Sequence, residues 1–136
     1  MGRILAIDYG KKRTGLAVTD PLQLIPGGLT TVPSHEALKY VLDYCEKEQV
    51  ERVIVGYPTQ MNNEPSASMQ YIEPFYRALS QQLSIPIDYV DERFTSVLAH
   101  RAMLDGGLKK KARQNKGLVD ELSAVILLQS YMQSKK

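Results

Sequence analysis

The pattern of hydrophobic and polar residues changes along the chain. The first part has short β-branched runs, and the rest has apolar residues at helical spacing, with strands between the helical segments. The apolar run Ile4–Ile7 has the length and branched side chains of a buried strand, and it ends in the turn-forming residues Asp8–Gly10. A second strand over 16–20 follows the basic turn 11–13. Leu29–Val32 predicts a third strand after a loop rich in Pro and Gly. Three strands joined by short links predict an antiparallel meander.

Strands and helices alternate along the rest of the chain. Ser34 is a typical helix cap, and the apolar residues after it follow the spacing of one helical face. The first predicted helix begins at Ser34 and has Leu38, Val41, Leu42 and Cys45 on its apolar face. A strand over 53–55, a polar loop over 59–65 and a helix over 69–83 follow, with a kink or late start expected at Pro74. The remaining elements are a strand over 85–90, a helix from Thr95 or Ser96 to Gly106, and a last helix over 117–131. This order predicts one α/β domain over residues 1–136. Its mixed sheet would have later strands parallel to the first and helices on both faces.

Three carboxylates are placed where a parallel sheet collects its functional groups. Asp8 ends the first strand and Glu92 follows the last one, so parallel strands would bring both to one edge of the sheet. Asp120 lies in the first turn of the last helix, at the head of an otherwise apolar stripe. Each has a simpler explanation: Asp8 fits a plain turn, Glu92 a surface charge and Asp120 a partner of the helix dipole. Their joint placement favours a site.

Carboxylates gathered at one edge repel one another unless a cation neutralises them. Mg²⁺ prefers such all-oxygen ligands, and two ions about 3.5–4 Å apart can activate water for phosphodiester hydrolysis. The two histidines, His35 and His100, have no zinc-ligand spacing. Neither a nucleophilic triad nor a glycine-rich nucleotide motif is present. Carboxylate–metal hydrolysis is therefore the chemistry that the sequence favours.

Positive charge is concentrated in two runs rather than in the net charge, because 17 Lys and Arg against 15 Asp and Glu leave only +2. Residues 109–116 carry five positive charges in eight positions, and residues 11–13 carry three in a row. Either run fits a solvated loop, but a nuclease also needs cations to hold the substrate backbone. The candidate substrate-binding residues are Lys11, Lys12, Arg13, Lys109, Lys110, Lys111 and Arg113.

Length and composition fit one globular domain, with 136 residues of which 43% are hydrophobic and 24% charged. The single Cys45 excludes an internal disulfide and is expected to be a small core residue. No apolar stretch is long enough for a membrane helix, and the N-terminus runs straight into a strand. We expect a cytoplasmic protein.

Five stretches now resemble a known family. They are AIDYG at 6–10, RTGLAV at 13–18, VGYP at 55–58, DERFTS at 91–96 and VDELSAVILLQ at 119–129. In this order and spacing the chain resembles the YqgF/RuvX family of RNase H-like, RuvC-like nucleases over essentially its whole length.

That resemblance implies an RNase H-like fold with a five-stranded mixed sheet in the order 3-2-1-4-5. It also implies an acidic triad, which maps onto Asp8, Glu92 and Asp120 as catalytic residues and ligands of Mg²⁺ or Mn²⁺, with two ions expected. Family members resemble nucleases that process the 5′ end of pre-16S rRNA in ribosome biogenesis, and they have also been called Holliday junction resolvases by analogy with RuvC. Beyond the resemblance, our hypothesis is that Arg93 orients the scissile group.

Two departures from related sequences bear on the substrate, which would be structured RNA or branched DNA. Family members often have Asp-Gly where this chain has Asn62-Asn63. RuvC-type resolvases look to carry a second acid on the last helix, three residues after the first, where this chain has Ser123. The second departure favours RNA processing over junction resolution. Two other classes fit part of the sequence: an actin-type or sugar-kinase-type ATPase, which would need a second domain, and a module that grips RNA or a protein without cutting it. The oligomeric state is open.

Overall fold

The computed structural model describes residues 2–57, 69–91 and 116–134 of the chain. The strands are β1 (Arg3–Tyr9), β2 (Arg13–Thr19), β3 (Pro26–Pro33), β4 (Val50–Tyr57) and β5 (Ile87–Asp91), and the helices are α1 (Ser34–Lys47), α2 (Met69–Gln82) and α3 (Lys116–Ser134). The predicted polar loop over 59–65, the predicted helix from 95 to 106 and the basic run over 109–113 lie outside these residues.

All five strands form one mixed sheet in the order β3-β2-β1-β4-β5. β2 pairs antiparallel with both β1 and β3, which is the predicted meander. β4 pairs parallel with β1, and β5 pairs parallel with β4. The predicted strand order and strand directions are confirmed, and the fold is RNase H-like.

Alternation of side chains along the strands builds one hydrophobic core on each face of the sheet. Leu5 and Ile7 of β1 lie in the core that α1 and α2 cover. Ile4 and Ala6 lie in the opposite core, which α3 covers with Ala124, Leu127, Leu128 and Tyr131. Burial of these apolar faces, at about 25 cal/mol per Å² of apolar surface, is the main force that holds the helices on the sheet. Helices on both faces were predicted and are confirmed.

Small residues on three adjacent strands allow α3 to approach the sheet closely. Ala6 pairs with Ala17, and Ala17 pairs with Gly28, so the three form a row across the face under α3. Ala6 and Ala17 are fully buried. A Cβ atom added to Gly28 would meet the Cγ and Cδ atoms of Glu121 at 2.9 Å. The first turns of α3 therefore lie against the edge strand β3.

Two local predictions differ from the structure. Ser34 does not cap α1: Pro33 occupies the cap position without a side-chain hydrogen bond, and Ser34 is the first helical residue. Its hydroxyl donates instead to the carbonyl of Gly10. β3 begins at Pro26, inside the predicted loop, because pairing with β2 continues to Thr19 with an irregularity beside Ala17. Sheet pairing there outweighs the local preference of Pro and Gly for turns.

A third local prediction, a late helix start at Pro74, is wrong, because α2 begins at Met69 and Pro74 lies inside it. Cys45 is half-buried and packs against the core under α1 and α2, as expected. Burial raises the pKa of the Cys45 thiol to about 11. Within the described ranges, no helix is both long and apolar enough to cross a bilayer.

The loop between β2 and β3 is organised by the carboxylate of Asp20. Its Oδ1 atom accepts hydrogen bonds from the amides of Leu24 and Ile25 at 2.8 and 2.7 Å, and its Oδ2 atom accepts one from Leu22 at 3.2 Å. These backbone hydrogen bonds, that of Ile25 above all, lower the pKa of the exposed Asp20 carboxyl. The ionised form is thus the one that the loop stabilises.

Candidate functional site

Asp8 lies on the α3 face at the carboxyl end of β1. Side chains alternate along a strand, so Asp8 shares its face with Ala6 and Ile4, whose core is covered by α3. Asp8 is partly exposed, whereas the four residues before it, Ile4 to Ile7, are buried. The strand therefore carries its carboxylate from the core to the edge of the sheet.

Glycines flank Asp8 on both neighbouring strands. Gly15 of β2 pairs directly with Asp8. Gly56 of β4 follows the pair formed by Ile7 and Val55, and so comes level with Asp8 on the other side. Neither glycine has a side chain to fill the space beside the carboxylate. Neither neighbouring strand therefore brings a side chain to the position beside Asp8.

The carboxyl ends of β1, β4 and β5 meet at one edge of the sheet, because these three strands are parallel. β5 ends at Asp91, which pairs with Tyr57. β4 alone separates β1 from β5, so their ends are about 10 Å apart, two inter-strand spacings. The directions that bring Asp8 and Glu92 to one edge are thus confirmed, while Glu92 itself lies just outside the described residues.

The backbone of Asp120 lies near the start of α3, and its side chain is outside the described part of the structure. Ala124, one turn later, is fully buried in the core of the α3 face. α3 therefore lies on the same face of the sheet as Asp8. The first turns of the helix lie near β3, as the approach of Glu121 to Gly28 indicates.

The basic turn that follows Asp8 is held by backbone hydrogen bonds. The amide of Gly10 donates to the carbonyl of Arg13 at 3.0 Å, which closes the turn. Lys11 and Lys12 are exposed, and Arg13 is half-buried at the start of β2. Three cations thus lie within five residues of Asp8. The other predicted substrate-binding residues, Arg93, Lys109, Lys110, Lys111 and Arg113, are outside the described ranges.

Carboxylate chemistry at this edge fits a hard divalent cation. Asp8 has carboxylate oxygens, and hard cations such as Mg²⁺ favour oxygen donors. Among the residues that the structure describes, no group of three or more His, Cys, Asp or Glu side chains comes together. Of the predicted triad, only the Asp8 side chain is within that part.

Two features of this edge were missed from the sequence. Tyr9 stacks on Phe75 of α2, with ring centroids 4.2 Å apart, and the ring of Tyr71 lies 6.2 Å away. Burial, with a contribution from Tyr71, raises the pKa of the Tyr9 phenol. Ser34 and Thr14 form a buried hydroxyl pair behind the basic turn, 2.9 Å apart. Their partners are distant in sequence, so no local pattern signals either contact.

A family model described as RuvX, Holliday junction resolvase, matches residues 2–134. The chain belongs to the RuvX family. The match spans every strand and helix that the structure describes. The resemblance stated from the motifs is thereby confirmed.

Relatives of this RuvX protein match it end to end. A protein of Phocaeicola vulgatus is 67% identical over 100% of this chain and 99% of its own, and is named "Putative pre-16S rRNA nuclease". A Bacteroides fragilis protein of the same name is 62% identical with the same coverage. A Flavobacterium johnsoniae protein, also of that name, is 53% identical over 100% of this chain and 99% of its own.

The fold of the chain is similar to that of a solved RuvC. The Thermus thermophilus RuvC, in complex with a Holliday junction substrate, superposes with a TM-score of 0.58 at 18% identity. The match covers 97% of this chain and 96% of that one. At this identity the likeness establishes the fold.

Proposed function

We propose that this RuvX protein is a metal-dependent nuclease that processes the 5′ end of pre-16S rRNA in ribosome biogenesis. The observation that carries the proposal is the position of Asp8, a carboxylate at the carboxyl end of β1 with glycines on both sides. The full-length relatives named as pre-16S rRNA nucleases support the choice of substrate. The chain would act as one domain over residues 1–136, in the cytoplasm, where ribosomal RNA is processed.

The residues that would hold Mg²⁺ or Mn²⁺ are Asp8, Glu92 and Asp120. When bound, such ions polarise the scissile phosphate and favour an attacking hydroxide. Their positive charge would also neutralise the repulsion among three clustered carboxylates. The strand directions support this set, because β1 and β5 end at one edge and α3 covers the same face as Asp8.

Cationic residues would hold the nucleic-acid backbone. Lys11 and Lys12 are exposed next to Asp8, and Arg13 follows them. Contacts of this kind are electrostatic and carry no sequence information, so they fit recognition of structured RNA through its phosphates. Arg93 would orient the scissile group. The second basic run, Lys109, Lys110, Lys111 and Arg113, would extend the same contact.

The second candidate function is cleavage of a Holliday junction. The description of the matching family and the RuvC likeness favour it. The same carboxylates would serve, since both reactions hydrolyse a phosphodiester. Ser123, where a second acid would stand on the last helix, weighs towards the RNA substrate.

The test replaces Asp8 by Asn, which removes the charge but keeps the shape of the side chain. Wild-type protein and Asp8→Asn are incubated with a 5′-leader RNA of pre-16S rRNA and with a four-way DNA junction, each with Mg²⁺, Mn²⁺ or chelator. We expect cleavage of the RNA by the wild type with metal, and none by Asp8→Asn or with chelator. Glu121→Gln is the matched control, because it neutralises a carboxylate of α3 outside the proposed triad and should cleave like the wild type.

Each other result has a definite meaning. Junction cleavage without RNA cleavage would replace the first candidate by the second. Binding of either substrate without any cleavage by the wild type would make the protein a binding module. Undiminished cleavage by Asp8→Asn, in preparations of equal thermal stability, would refute the role of Asp8.

A further inference from the structure

Three hydrogen bonds connect the first residue of α1 to the basic turn between β1 and β2. The Ser34 hydroxyl donates to the Gly10 carbonyl at 2.5 Å. The Ser34 amide donates to the Lys12 carbonyl at 2.9 Å. The Thr14 hydroxyl lies 2.9 Å from the Ser34 hydroxyl. Both sides of the turn are therefore connected to a single serine 20 or more residues away in sequence.

The direction of these hydrogen bonds follows from the chemistry of the hydroxyl group. A serine hydroxyl has one hydrogen, and that of Ser34 is used on the Gly10 carbonyl. Thr14 must therefore be the donor to Ser34. The result is a chain from Thr14 through Ser34 to Gly10, in which the middle hydroxyl both accepts and donates.

Burial makes each of these partners costly to lose. Thr14 is fully buried and Ser34 is 6% exposed, so water cannot readily replace either hydroxyl. A buried donor or acceptor without a partner costs about 1–3 kcal/mol. The turn also requires glycine at position 10, because a Cβ on Gly10 would collide with the carbonyl oxygen of Arg13.

The hydroxyl chain lies on the opposite face of the sheet from Asp8. Thr14 pairs with Tyr9, which packs against the core under α1 and α2, whereas Asp8 lies on the face covered by α3. Ser34 therefore acts on the site through the backbone of the turn. What it fixes is the path of the chain between Asp8 and the exposed lysines Lys11 and Lys12.

We propose that Ser34 is a positioning residue that sets the basic turn for substrate phosphates. The proposal rests on the proposed function, because it assigns those phosphates to nucleic acid. The amide of Ser34, the first residue of α1, donates a hydrogen bond to the Lys12 carbonyl, so α1 and the turn are held together. The specific residues of this connection are Gly10, Lys12, Thr14 and Ser34.

The experiment compares Ser34→Ala with two informative variants. Thr14→Ser retains the donor hydroxyl and should behave like the wild type. Thr19→Val is the matched control: Thr19 is also fully buried, and its hydroxyl accepts the amide of Ile4 at 2.9 Å, at the other end of the same strands. Both Ser34→Ala and Thr19→Val lower stability, but only the first changes the turn.

Two measurements separate positioning from stability, and both are made at a temperature well below the unfolding transition of every variant. We expect amide hydrogen exchange at Gly10 and residue 34 to be about tenfold faster in Ser34→Ala and unchanged in Thr19→Val. We expect the affinity for a 5′-leader RNA hairpin, measured in chelator so that no cleavage occurs, to fall about tenfold in Ser34→Ala alone. In a Lys11→Ala/Lys12→Ala background, Ser34→Ala should cause no further loss of affinity.

Equal effects of Ser34→Ala and Thr19→Val on either readout would overturn the positioning role. A full further loss of affinity in the double-lysine background would do the same, because Ser34 would then act independently of the turn. If the wild type itself fails to bind RNA or DNA, the proposed function falls, and the positioning of substrate falls with it. That result is recognisable because it appears before any substitution is made.

Discussion

The close approach of α3 to β3 leads to a prediction about two adjacent glycines. A Cβ on Gly28 would lie 2.9 Å from the Cγ and Cδ atoms of Glu121, which is too close for any real pair of carbon atoms. A Cβ on Gly27 would have as its nearest neighbour the carbonyl oxygen of Val18 at 3.9 Å, an ordinary contact. Neither glycine has a positive φ. Replacement by Ala therefore tests packing alone.

The expected magnitudes have opposite signs. Replacing Gly by Ala at an unstrained site stabilises the folded protein by about 0.4–1 kcal/mol, because the unfolded chain then has less conformational entropy to lose on folding. We expect that gain for Gly27→Ala. Overpacking costs about 1–3 kcal/mol, and the low end applies at Gly28, because Gly28 is exposed and the half-buried side chain of Glu121 can move. After the same entropic gain is subtracted, Gly28→Ala should be less stable than the wild type by about 0.5 kcal/mol. The two variants should thus differ by about 1 kcal/mol.

Urea denaturation measures this difference. With an m-value of about 2 kcal/mol/M, the two midpoints should lie about 0.5 M apart at equal m. Glu121→Ala removes the Cγ, Cδ and carboxylate atoms that obstruct the new methyl group, so Gly28→Ala/Glu121→Ala should recover most of the lost stability. A midpoint for Gly28→Ala at or above that of Gly27→Ala would refute the close approach. Failure of Glu121→Ala to rescue would show that another contact is responsible.

Three further predictions concern charge and packing. Replacing Lys109–Lys111 by Ala should weaken RNA binding. In a salt titration, the slope of the logarithm of the binding constant against the logarithm of salt concentration should become shallower by up to about 0.9 per lost phosphate contact. An unchanged slope would assign the run to solvated surface. The folded pKa of Asp20 is lowered, so its contribution to stability is present above its unfolded pKa of about 3.9 and is lost as the pH falls through the folded value. Melting temperatures of Asp20→Asn and wild type should therefore converge on acidification, and a constant difference down to strongly acidic pH would contradict this. Leu127 is fully buried under α3, so Leu127→Ala should cost about 3 kcal/mol in urea denaturation, against about 0.5 kcal/mol or less for the exposed Gln129→Ala.

Much of the fold followed from the sequence because its rules are local. Short apolar and β-branched runs predicted β1, β2 and β4, and helical spacing predicted α1 and α3 within a few residues. The position of Asp8 at the end of a buried strand was equally readable, because an apolar run that stops at a carboxylate marks the point where the chain leaves the core. The motifs then gave the family, which the full-length match confirms.

Tertiary structure decided the matters that depend on partners distant in sequence. Ser34 has the chemistry of a helix cap, yet its hydroxyl bonds to Gly10, 24 residues away, because sheet and helix packing bring that carbonyl within reach. Local preference favoured a loop at Pro26, whereas pairing with β2 makes it a strand. The row from Ala6 to Gly28 has meaning only once three strands lie side by side. Sequence alone thus determined which residues enter the core and where a carboxylate leaves it, since both depend on the nearest neighbours along the chain. The tertiary structure alone decided which groups meet across the sheet, since those contacts join segments that only the folded chain brings together.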